Sequence, residues 1–259
     1  MLLPFEGMSR TRGSAAEPAT PEILLRKATL ARTAGLRAKY ARRGLEQQGK
    51  LDRTTRAMLL RQLYLSHMEG RRFEEAVQVA EEIVSLDVMP DVARQDAARA
   101  CLGLGDRERA IEHLRLASRV GPASRRAFHL WTLGSVQYLA GRPRDAIGAL
   151  SRASRWGTTD RPLYQAQLAL ARIACGDPGG DLGTLRERLA EAPCGQGYGQ
   201  FVLGELSYHD GDLRAAREYL RAFVKRSTGG RVALAVALEG EISRARELLS
   251  HMGRQRSKS

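Results

Sequence analysis

The chain has 259 residues, 43% of them hydrophobic. That is enough for a core, yet no apolar run approaches the ~20 residues that cross a membrane. Basic residues outnumber acidic ones by 42 to 29, and the resulting net charge of +13 favours acidic partners or surfaces. The cysteines, Cys101, Cys175 and Cys194, form no CxxC pair, which argues against a disulfide scaffold or a zinc site and leaves a cytoplasmic address as the expectation.

In chain order, residues 1–21 mix Gly, Ser, Thr, Pro and Ala without an apolar period and are predicted to be disordered. The first residues lack the basic-then-apolar order of a signal peptide, and Met8 offers a second candidate start. From Glu22 the helical period begins. It predicts helix pairs at 22–33 and 35–48, 52–69 and 72–86, 90–103 and 106–119, 123–140 and 143–155. Further pairs follow at 161–175 and 181–192, 196–209 and 212–226, with a shortened last pair at 230–239 and 241–252. No segment alternates long enough to be a strand. Residues 253–259 read as a basic, disordered tail.

A phrase recurs between the paired helices: a glycine, four residues, then an alanine. Gly105 leads to Ala110, Gly141 to Ala146 and Gly211 to Ala216, while Gly70 to Ala76 carries one extra residue. The alanines at 76, 110, 146 and 216 are spaced by 34, 36 and 70, the last being two steps of 35. A period in this range means stacked helical hairpins. Such arrays bind other proteins and seldom do chemistry. Pro90, Pro122 and Pro162 fall at helix starts, where a missing N–H costs little. Gly70, Gly105, Gly141, Gly176, Gly211 and Gly240 fall where the chain must turn. Asp106, Asp181 and Asp212 are placed to cap the second helices. The loose stretch at 176–199 is where a bend is expected.

These residues resemble the tetratricopeptide repeat (TPR) family. Leu130, Leu133, Gly134, Gly141, Ala146, Leu150 and Ala153 match its pattern in the fourth unit, and Leu203, Gly204, Gly211, Ala216 and Leu220 in the sixth. The third unit matches at Ala97, Ala98, Gly105, Ala110, Leu114, Ala117 and Pro122, and the fifth at Leu168, Ala169 and Gly176. The resemblance covers 22–252 and implies an all-α, right-handed superhelical solenoid of six to seven helix-turn-helix units. Atypical end units are expected, each needing one solvated face.

The resemblance also implies a concave groove lined by the first helix of each unit. Its positions fall on Phe128, Trp131, Ser135 and Tyr138 in the fourth unit and on Tyr198, Phe201, Glu205 and Tyr208 in the sixth. The third unit places Val92, Gln95, Arg99 and Leu102 there, the fifth Leu163, Ala166, Leu170 and Ile173, and the second Met58, Arg61, Leu65 and Met68. Aromatics on a concave face anchor peptides. Phe128, Trp131, Tyr138, Tyr198, Phe201, Tyr208 and Arg99 are therefore the candidate site for a peptide or helix with apolar and acidic side chains. The same aromatics at helical spacing also suit packing between hairpins. The family's carboxylate clamp for chaperone tails needs asparagines and lysines in the groove; this chain has no asparagine, and its lysines fall elsewhere.

No histidine pair has metal-ligand spacing, no glycine-rich phosphate loop occurs and no acid–base pair is evident, so neither an enzyme nor a cofactor is expected. A rival reading rests on charge. The first unit sets nine basic residues, among them Arg37, Lys39, Arg42 and Arg43, against Glu22, Glu46 and Asp52. With Arg254, Arg256 and Lys258 it could track nucleic-acid phosphates or another anionic surface. Self-association through incomplete ends is a third possibility. The abundance of arginine and near absence of lysine match a GC-rich, bacterial coding bias, so a solvated arginine face also fits.

Overall fold

The computed structural model describes residues 20–47, 49, 51–230 and 232–256, without the side chains of 255 and 256. The expectations for 1–19 and 257–259 lie outside the described residues. Fourteen α-helices and no strand occur within them. The first six pairs are α1 (Pro21–Leu30) with α2 (Ala34–Leu45), α3 (Arg53–Glu69) with α4 (Phe73–Ser85), α5 (Pro90–Gly103) with α6 (Arg107–Val120), α7 (Ala123–Leu139) with α8 (Pro143–Trp156), α9 (Arg161–Ile173) with α10 (Leu182–Glu191), and α11 (Tyr198–His209) with α12 (Leu213–Thr228). Each second helix packs on the first helix of the next pair, so the units form a TPR-like solenoid.

Local chemistry explains the hairpins. Gly105, Gly141, Gly176 and Gly211 all take positive φ, between 73° and 86°, where only glycine is unstrained. At Gly141 the backbone closes a Schellman motif: Gly141 N–H donates to the Tyr138 carbonyl at 3.0 Å and Arg142 N–H to that of Gln137 at 2.9 Å. In the second unit the extra residue moves this role from Gly70 to Arg71, which takes φ 54°. Asp106, Asp181 and Asp212 accept from Arg109, Thr184 and Ala215 N–H at 3.0–3.1 Å, capping α6, α10 and α12.

The small residues let helices cross closely. A Cβ on Gly134 would stand 2.5 Å from Leu150, and one on Gly204 would stand 2.5 Å from Leu220. Ala76, Ala110, Ala146 and Ala216 are fully buried at the partner positions, and Cys101 is buried on α5 as its helix face requires. Two further glycines do equivalent work at the joints between units. A Cβ on Gly121 would meet the His129 ring, and one on Gly157 the Tyr164 ring, both at 2.6 Å.

The end of the chain departs from the predicted last hairpin. α13 (Val232–Ala237) has six residues, and α14 (Glu239–Arg256) absorbs Gly240 and runs beyond the predicted end at 252. α14 packs on both α12 and α11, the place of the first helix of a seventh unit. α13 lies mainly against α3 and α12, with lesser contact to α5 and α14. The reason is in its faces: Val236 is buried among Tyr64, Met68, Ala97, Cys101 and Leu133, while Ala235 and Leu238 meet the core around α11 and α14.

Candidate groove on the first helices

The first helices are joined along the inner face by polar ties that repeat from unit to unit. Between α3 and α5, Arg61 Nε donates to buried Asp96 at 2.8 Å and the Tyr64 hydroxyl to the Asp96 carbonyl at 2.9 Å. Arg99 shares the same carboxylate at 3.2 Å, so two guanidiniums stand over one acid. Between α5 and α7, Gln95 Nε2 donates to His129 Nδ1 at 2.8 Å, and His129 Nε2 faces Asp91 at 2.8 Å. A ring that accepts at Nδ1 and meets a carboxylate at Nε2 is the neutral Nε2–H tautomer. Burial holds the His129 pKa below its ordinary value, with Asp91 opposing the shift. Between α7 and α9, fully buried Gln167 accepts from both Trp131 Nε1 and Ser135 Oγ.

These ties redistribute the predicted anchors. Phe201 is wholly buried against Phe223 and Tyr198 in the core, so it is not a surface anchor; the groove register met a site where the array packs onto itself. Tyr198 is half-buried, takes the edge of Trp131, and donates to Glu241 at 3.2 Å. Trp131 is half-buried and tied to Gln167. Tyr138 is half-buried, and desolvation raises its pKa above the ordinary value. Tyr208 bonds His251 of α14 at 3.0 Å. Glu205 is fully buried and accepts from Arg244 Nε at 3.0 Å; burial raises its pKa and Arg244 opposes the rise. Leu163, Ala166 and Leu170 are buried too. What remains open is the strip over the second to fourth units, with Phe128 exposed and Arg61, Leu65, Val92, Arg99 and Leu102 half-exposed.

The sixth unit's groove positions are thus taken by the chain itself, through α14. Sequence reasoning had no sign of this beyond the irregular spacing after α12. Among the candidate basic residues, Arg37 is bound to Glu69 at 2.6 Å and only 12% exposed, whereas Lys39, Arg42 and Arg43 are exposed. A separate cleft of about 510 Å³ opens between α6, α7 and α8. Arg115, Arg119, Arg126 and Arg152 line it beside Trp156, which is 48% exposed and lies 5.7 Å from the Arg126 guanidinium. Among the described residues no group of three or more His, Cys, Asp and Glu is placed to hold a metal, and no helix is long and apolar enough to cross a membrane. Cys101, Cys175 and Cys194 are all free thiols.

Helix pairs, glycine turns and a step near 35 residues define a TPR-like α-solenoid. The solved structures it is similar to are TPR proteins. YrrB, described as a TPR protein with an unusual peptide-binding site, is 16% identical across 76% of this chain and 97% of its own, at a TM-score of 0.45. The kinesin light chain TPR-like repeats of Podosopora anserina are 18% identical across 70% of this chain and 100% of theirs, at 0.48. MamA is 19% identical across 67% and 91%, at 0.42. No protein-family model and no curated protein matches the sequence.

Proposed function

We propose that the protein is a cytoplasmic adaptor that holds a peptide or helical segment of another protein in its concave groove. One observation carries the reading. The open strip joins exposed Phe128 and half-exposed Leu65, Val92 and Leu102 to Arg61 and Arg99, whose two charges share the single carboxylate of Asp96. An apolar strip bordered by two guanidiniums suits an apolar segment bearing acidic residues. The test is affinity capture from nuclease-treated native lysate, comparing the wild type with Phe128→Ala, Arg99→Glu. A protein captured by the wild type and lost from the variant supports the groove; one retained by the variant overturns it.

The anionic-surface reading has its own observation. Among the described residues, Lys39, Arg42, Arg43, Arg115, Arg119 and Arg126 make no ion pair. A partner lost on nuclease treatment or at moderate salt, and lost again in Arg42→Glu, Arg43→Glu, would favour this surface over the groove.

A further inference from the structure

The ties between successive first helices join residues about 35 apart, as in Arg61 to Asp96, Gln95 to His129 and Trp131 to Gln167. Between α11 and α14 the step is longer. Tyr198 meets Glu241 and Tyr208 meets His251 across 43 residues, and Glu205 meets Arg244 across 39. The excess over the 35 of Arg61 to Asp96 is four to eight residues, and it is taken up by the segment between α12 and α14 that holds α13. The solenoid therefore continues from α12 to α14 in its own geometry, and α13 is an insertion that the stacking does not require.

That insertion enters the groove. Val236 is 8% exposed against α3 and α5, while Val232 and Leu234 remain 56% and 46% exposed. Glu239 pairs with Arg71 at the end of α3 at 2.8 Å, both side chains more than half exposed. A residue further on, Gly240 reaches toward Leu139 of α7, and Glu241 accepts from Tyr198 of α11. One buried valine and two carboxylates thus bridge helices of the second, third, fourth and sixth units. A six-residue helix is too short to persist in water by itself, and so shallow a seat opens more readily than the core.

We propose that α13 is a resident, displaceable occupant of the groove, and that the strip beneath it takes from outside a short apolar helix followed by two carboxylates. This rests on the groove reading and specifies its partner. The outside segment meets the contacts that Val236, Glu239 and Glu241 make from within: the apolar side of α3 and α5, the Arg71 guanidinium and the Tyr198 hydroxyl. Binding then requires displacement, so the groove presents itself weakly until a competitor of that chemistry arrives.

The experiment is titration of a labelled synthetic peptide carrying residues 230–241 into the full chain at pH 7. The wild type, Val236→Asp and Glu239→Arg are compared, with helicity checked by circular dichroism. Val236→Asp should bind the peptide at least ten-fold more tightly than the wild type, and Glu239→Arg two- to five-fold more tightly. A peptide with Glu239 changed to glutamine should lose part of that gain, because it no longer pairs with Arg71. Equal binding by all three chains would overturn the resident occupant while leaving groove capture standing, and so would the absence of binding by any of them. Should Val236→Asp lower helicity, Glu239→Arg decides alone, because its exposed ion pair does not carry the fold.

Discussion

Trp131, Phe201 and Phe128 look alike in the sequence, three aromatics at groove positions, and the structure gives them three different tasks. Phe201 is a core residue with no exposed surface. Phe201→Ala should therefore destabilise the chain by about 3–5 kcal/mol in urea unfolding, as large-to-small core substitutions do. Phe128 is 36% exposed and touches the rings of His129 and Trp131, so Phe128→Ala should cost about 1–2 kcal/mol, well below Phe201→Ala. If Phe128→Ala proved as costly as Phe201→Ala, the assignment of Phe128 to the open strip would fail. Residue periodicity identified the face on which these side chains lie, because that follows from the helix pitch. It did not identify what covers the face. Gln167 and Glu205 are fully buried polar residues, and nothing local to them announces that they bind Trp131 and Arg244 from neighbouring helices.

At the scale of the element, the hairpins were legible because each turn has its own chemistry. A glycine at positive φ followed by an aspartate cap is a local signature, and Gly105 with Asp106 and Gly211 with Asp212 carry it in full. Two substitutions separate conformational cost from helix propensity. Gly141 sits at φ 73° with no atom near its absent Cβ, so Gly141→Ala should cost about 1 kcal/mol from backbone strain alone. Gly148 lies exposed within α8 with equally free space, so Gly148→Ala should stabilise by up to about 1 kcal/mol. Thermal melts of the two variants should move in opposite directions, and a shift of the same sign would contradict one of the two backbone assignments. The last hairpin was misread because Gly240 carries no such signature. It follows an apolar run, as a turn glycine does, yet it lies within α14 at its second residue. A period of 35 cannot reveal a short insertion until the partner residues across the gap are known.

Across the whole molecule, titration pulls two ways, and the two directions belong to different parts of the fold. His67, His113 and His129 all have pKa values held below the ordinary imidazole value, chiefly by burial. A histidine kept neutral in the folded state contributes stability above its unfolded pKa and loses it as pH falls. Global unfolding should therefore become easier between about pH 7 and pH 5, where an unperturbed imidazole takes up its proton. Glu241, at the junction of α13 and α14, shows the opposite sign. Burial pushes its carboxyl up to about 7, with Glu205 adding to the rise and Tyr198 and Arg99 opposing it. A carboxyl raised in the folded state favours the docked form below its unfolded pKa, and that preference is lost as pH rises through about 7. The groups facing it are Glu205, itself raised by burial, with Tyr198 of α11 and Arg99 of α5. Acidification should thus weaken the solenoid while tightening the seat of α13. Hydrogen exchange separates the two, once intrinsic rates are corrected for pH: protection at 232–238 should increase from pH 8 to pH 6 while that of the α5 and α7 cores decreases. Glu241→Gln should remove the first trend and leave the second. If protection at α13 and the cores changed in step, α13 would be opening only with the whole chain, and its seat would not be an independent equilibrium.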